Sequence, residues 1–222
     1  MISSVYVDVR HVFTRRSELR RHIDLQKSFE AWQETCVPSY CHPNILASYV
    51  SWLRLFRAVS LARSHHPQLK RVLDFGSSVG ELGQLMARDD VTYEFIEQDD
   101  LAAGYLDSQL PRAVRRTLDS APARSYDCVF AVDALEHNRD YDQLLRKLAS
   151  KLKPDGILIL SGPTENRLYR LGRALAGFRG GYHVTTIYEI EAAAAAHLAL
   201  RGVAKIFPGF PLFRLSVWGL PK

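Results

Sequence analysis

From Arg71 onward the apolar positions come in short runs: RVLDF, YEFIE, AVRRT, DCVFAV and GILILSG. Between these runs lie ELGQLMAR, LAAGYLDSQL and a stretch in which Tyr141, Leu144, Leu145, Leu148 and Leu152 recur at helical spacing. Strands that are apolar through their length and alternate with helices must be covered on both faces, which predicts a parallel sheet. The predicted fold class is α/β, a doubly wound, mostly parallel sheet.

The flanks depart from this rhythm. After a Pro43-Asn44 start signal, Ile45, Leu46, Tyr49, Val50, Leu53, Phe56 and Val59 recur at helical spacing and predict an amphipathic helix with those residues as its apolar stripe. Residues 1–44 are polar, basic and aromatic by turns, with Trp32 and Tyr40 as anchors. They read as an N-terminal extension or lid to a domain spanning 45–222. At the other end EIEAAAAAHLALRG predicts a helix closed by Gly202, followed by strands VAKIFPGF and LFRLSVWGL. Their connection through Pro208, Gly209 and Pro211 is too short for a parallel crossover, so the last strand must enter antiparallel.

With 222 residues, 47% of them hydrophobic, the chain can bury one substantial core. The start does not read as a signal peptide, and no run of about 18 apolar residues stands out, so a soluble or peripheral protein is expected. Cys36, Cys41 and Cys128 lack the paired spacing of a disulfide framework or metal site, which points to a reducing, cytoplasmic setting and no bound metal. The net charge of +5 is clustered. Arg10, Arg15, Arg16, Arg20, Arg21 and Lys27 crowd one stretch, and Arg167, Arg170, Arg173 and Arg179 another. Such clusters form either a solvated face or a hold for an anionic partner. Around 165–180, Leu168, Leu171 and Leu175 form an apolar stripe flanked by arginines. That pattern suits either a helix packed on the domain or a peripheral membrane contact.

The densest chemical signal is Arg71 to Gly83, RVLDFGSSVGELG, a buried strand running through glycines into a helix. Glycines let backbone amides approach a ligand closely. Gly76, Gly80 and Gly83 are spaced wrongly for the dinucleotide fingerprint. The next strand ends in Glu97, followed by Gln98, where adenosyl and dinucleotide ligands alike have their ribose hydroxyls accepted.

Asp74 to Gly80 resembles motif I of the class I S-adenosylmethionine-dependent methyltransferases, Asp-x-Gly-x-Gly-x-Gly, with Ser78 in place of the middle glycine. Glu97 resembles that family's acidic motif II residue. SYDCVFAVDALEH resembles its fourth-strand segment, and KPDGILIL its turn into the fifth strand. The resemblance implies a Rossmann-like sheet with an antiparallel last strand and S-adenosyl-L-methionine as cofactor. By position it implies that Asp74, Gly76, Ser77 and Gly80 surround the methionine moiety and Glu97 the ribose, with Gln98 beside it. It further implies that Asp119 meets the adenine amine, and that Val132 and Asp133 line the sulfonium.

Methyl transfer is an in-line displacement, and an oxygen acceptor also requires a proton to be removed. His137, Glu136 and His183 are the candidate bases, ahead of Tyr182 and His42. Asp133-Ala134-Leu135-Glu136 is not the Asn/Asp-Pro-Pro-aromatic signature of enzymes that methylate amino groups on bases, which sets nucleic-acid bases aside. Cys128, inside a strand, reads as structural. The expected acceptor is a small molecule, a glycan or a lipid-linked compound, with oxygen ahead of nitrogen. A non-catalytic module that keeps the cofactor fold, an RNA or protein methyltransferase and a nicotinamide-dependent enzyme remain the alternatives.

Overall fold

A computed structural model describes residues 7–23, 37–87, 90–164, 166, 185–206 and 212–221. The arginine-rich stretch around 165–180, apart from Asn166, and with it Tyr182 and His183, lies outside the described residues, as do Trp32 and Cys36.

Seven strands form one sheet: β1 (Arg71–Phe75), β2 (Thr92–Ile96), β3 (Val114–Arg115), β4 (Tyr126–Val132), β5 (Leu152–Pro163), β6 (Ala199–Ile206) and β7 (Phe213–Gly219). Their order is β3-β2-β1-β4-β5-β7-β6. β1, β2, β3, β4 and β5 pair in parallel, while β7 runs antiparallel to both of its neighbours. The doubly wound α/β sheet and its antiparallel last strand are thus as the sequence predicts. β5 begins earlier than GILILSG suggests. Leu152 pairs with Tyr126, and a bulge carries Lys153 to Gly156 before Ile157 pairs with Cys128.

Alternate strand residues face two layers. One face, with Val72, Cys128, Phe130, Ile157, Ile159 and Val217, packs under α1 (Val9–His22), α2 (Val37–Tyr40), α3 (Ile45–His65), α4 (Glu81–Met86) and α5 (Asp100–Gln109). The other, with Leu73, Val129, Ala131, Leu158 and Leu160, packs under α6 (Tyr141–Ala149) and α7 (Ile187–Ala194). Burying one such aliphatic side chain contributes about 1.5–3 kcal/mol. Asn44 caps α3 by accepting from Leu46 and Ala47, and Thr186 with Glu189 forms a capping box on α7.

Two predicted details are corrected. α3 does not bury the stripe through Ile45 and Leu46, of which Leu46 is 72% exposed. Its inner face is Ser48, Trp52, Leu55, Val59 and Ala62, oriented by hydrogen bonds from Ser48 Oγ and Trp52 Nε1 to the Tyr40 carbonyl. The helix is long and apolar enough to cross a bilayer by length and composition alone. Here its inner face covers the sheet instead. The alanine-rich helix stops at Ala194 rather than Gly202, because Ala199 to Gly202 pair with β7 as strand. The interstrand hydrogen bonds override the local helix preference of alanine, leucine and arginine.

A candidate cofactor site at the carboxyl edge of the sheet

The chain leaves β1 toward β2 and β3 on one side and returns to β4 on the other. A crevice therefore opens beyond the carboxyl ends of β1 and β4, where ligands bind in sheets of this type. The loop there alternates left-handed residues: Gly76 at φ 73°, Ser78 at φ 50° and Gly80 at φ 82°. A Cβ on Gly76 would lie 2.5 Å from that of Ala134, and one on Gly80 2.5 Å from Leu106 Cγ, so neither position tolerates a side chain. Ser78 keeps the same backbone with a Cβ, at a cost of about 1 kcal/mol. Its N–H donates to Glu97 Oε2 at 2.7 Å, and the Asp99 N–H donates to Oε1 at 3.0 Å. The carboxylate thereby ties the end of β2 to the loop after β1. The hydroxyls of Ser77 and Ser78 are buried without a hydrogen-bond partner. Orphaned hydroxyls, a side-chain-free cradle and a carboxylate on loop amides fit a ligand with a charged amino-acid end and a ribose, as S-adenosylmethionine has.

The other predicted residues fall in different places. Asp74 lies on β1, fully within the core. Burial pushes its carboxyl up to about 7, against the pull of the Tyr93 hydroxyl that donates to it at 2.6 Å and with the Glu97 charge adding to the rise. Gln98 is exposed. Asp119 sits in an exposed turn after β3, with its carboxylate 3.5 Å from Lys147 Nζ on α6. Val132 ends β4, and Asp133 follows it with φ 52°. Asp133 forms a buried ion pair with Arg54 of α3 and accepts from Ser161 Oγ at 3.3 Å. The Arg54 guanidinium lies 4.2 Å over the Phe213 ring. Glu136 is buried and His137 exposed in a short 3-10 turn, Leu135–His137, just beyond β4. His42 accepts from the Asn44 N–H, and Cys128 is buried, which drives its thiol well above the usual value.

A family model described as a methyltransferase domain matches residues 47–198. The chain belongs to the class I S-adenosylmethionine-dependent methyltransferases. A trans-aconitate 2-methyltransferase of Variovorax paradoxus is 31% identical to it over 124 residues, covering 52% of this chain and 48% of that protein. The match thus spans about half the length of that curated relative. Among solved structures, a protein of Pyrococcus horikoshii is similar with a TM-score of 0.68 at 15% identity, covering 86% of this chain and 99% of the other. The N-methyltransferase NodS of Bradyrhizobium japonicum, solved with S-adenosyl-L-homocysteine, is similar with a TM-score of 0.63 at 15% identity, over 78% of this chain and 88% of that one. These structures share the methyltransferase fold.

Two residues of the site region escaped sequence reasoning. Arg54 is the one charged residue on the buried face of α3. A charge on a face destined for the core was the available signal. Arg15 reaches from α1 to Glu81, which directly follows Gly80, with Nη2 at 2.7 Å from Oε1 and Nε at 3.1 Å from Oε2. Burial pulls the Arg15 guanidinium down, but the Glu81 hydrogen bond and charge outweigh it and raise it. This bidentate pair docks α1 beside the glycine loop.

Proposed function

We propose that this methyltransferase moves the methyl group of S-adenosylmethionine onto a small-molecule, glycan or lipid-linked acceptor, at oxygen rather than nitrogen. The observation that carries the cofactor half is the left-handed Gly76–Ser78–Gly80 loop with Glu97 against its amides. Gly76, Ser77, Ser78 and Gly80 hold the amino-acid end, Glu97 takes the ribose hydroxyls, and Val132 with Asp133 stands beside the sulfur. When bound, the cofactor supplies an electrophilic methyl on a cationic sulfur. Asp119, turned toward Lys147, is left out of the set.

The chain's own task is then to align the acceptor and, where the acceptor is a hydroxyl, to remove its proton. His137 is the proposed base, because it is exposed where β4 ends, whereas Glu136 beside it is buried. The acceptor class draws on the curated relative, named for trans-aconitate, a small organic acid. NodS, named an N-methyltransferase, makes amines the competing class.

Calorimetry with S-adenosylmethionine, S-adenosylhomocysteine and NAD tests the cofactor half. Micromolar binding of both adenosyl ligands, weakened at least about tenfold in Glu97→Ala, is expected. Binding of NAD instead would defeat the reading. Release of S-adenosylhomocysteine in the presence of organic acids, hydroxylated glycans or amines then sorts the acceptors. Turnover with amines alone would overturn the oxygen assignment.

A further inference from the structure

A buried ion pair stands where α3 meets the carboxyl edge of β4. Arg54 is 5% exposed and Asp133 9%, and they touch through Nη1 and Oδ2. Ser161 holds the other carboxylate oxygen, and the Phe213 ring lies under the guanidinium. Asp133 is anchored in the left-handed region, and the next residue, Ala134, packs directly on Gly76. Asp133 thus immediately precedes the residue that packs against the glycine loop.

A bare carboxylate in that place would act on the chemistry itself. Methyl transfer converts a sulfonium cation into a neutral thioether, so an anion beside the sulfur attracts the reactant and not the product. Such selective ground-state binding raises the barrier. A guanidinium in contact with the anion turns a net charge into a dipole, whose field falls off faster with distance.

We propose that Arg54 is a positioning residue that neutralises Asp133 beside the cofactor's sulfur, so that the site does not hold the cationic cofactor in preference to its neutral product. The inference rests on the methyltransferase reading above. It also explains why a charged side chain occupies the inner face of α3, which aliphatic packing alone would not require.

The ratio of affinities for S-adenosylmethionine and S-adenosylhomocysteine tests it without any acceptor, by calorimetry at one mildly alkaline pH. Arg54→Met leaves the carboxylate uncompensated and shifts the ratio about tenfold toward S-adenosylmethionine. Asp133→Asn leaves the guanidinium uncompensated and shifts it about tenfold the other way. The double variant Arg54→Met/Asp133→Asn returns the ratio to within about twofold of wild type, and Arg54→Lys preserves it. Should Arg54→Met not fold, Asp133→Asn, with a shifted ratio, and the double variant, with an unshifted one, still carry different expectations. Variants that weaken both ligands equally, with an unchanged ratio, would make the pair mere packing and overturn the proposal. Failure of the wild-type protein to bind either ligand would instead remove the methyltransferase reading on which it rests.

Discussion

The two ends of the same sheet treat their polar groups in opposite ways. Toward the amino end, Asp127 accepts from the backbone N–H groups of Lys70 at 2.9 Å and Arg71 at 2.8 Å and from Lys153 Nζ at 2.5 Å. Burial works to raise this carboxyl, but those donors outweigh it and hold it below the usual range. Glu94, 1% exposed, likewise takes Arg71, Arg116 and the Tyr126 hydroxyl. At the carboxyl end, Asp74 is pushed up to about 7, two serine hydroxyls are buried without partners, and three of five loop residues are left-handed. The carboxylates that hold strands together are fully hydrogen-bonded, whereas the loop proposed to receive the ligand carries buried hydroxyls without partners and a left-handed Ser78.

This division is open to attack. The largest effect is expected from Asp127→Ala, which strands three donors and should cost about 3 kcal/mol, or roughly 10 °C in Tm for a chain this long. Thermal unfolding would show it, with adenosyl affinity unchanged; a loss of affinity matching that of Glu97→Ala would break the comparison. Gly76→Ala comes next. It sets a Cβ against Ala134 in a left-handed backbone and should cost about 2 kcal/mol while weakening cofactor binding more than about tenfold.

The two ends should also respond oppositely to pH. Asp127 has a lowered carboxyl, so its contribution is present above the usual carboxylate range and is lost on acidification. Asp74 is raised from 3.8 to about 7, so the native state holds that proton more tightly than the unfolded chain. Its contribution to stability is therefore fully present in acid, falls as pH rises toward about 7 and levels off above. Urea midpoints measured against pH should lose the neutral limb in Asp74→Asn and part of the acid limb in Asp127→Asn. The smallest effect is Ser78→Gly, which relieves a left-handed Cβ and should gain up to about 1 kcal/mol in the same assay.

The features that could be read in the sequence are those that neighbouring residues dictate. Strand runs, the glycine loop, Glu97 at the end of β2 and the antiparallel β7 all follow from local pattern and connection length. The features that escaped depend on residues far apart in the chain. The inner face of α3 is set by the Tyr40 carbonyl, and the end of α7 by pairing of Ala199 to Gly202 with β7. Arg15 and Arg54 find Glu81 and Asp133 only once the helix layer lies on the sheet. Asp119, which the resemblance sets at the adenine, stands in an exposed turn 3.5 Å from Lys147, a neighbour that no local pattern announces.

The placement of β7 between β5 and β6 bears on how the molecule is made. β5 and β6 leave the ribosome before the strand that joins them, so each presents an unpaired edge until Phe213 to Gly219 emerge. The last third of the sheet therefore closes late, by insertion rather than by addition at a rim. A chain ending shortly before residue 213 would carry two open strands and a pronounced tendency to pair with its neighbours.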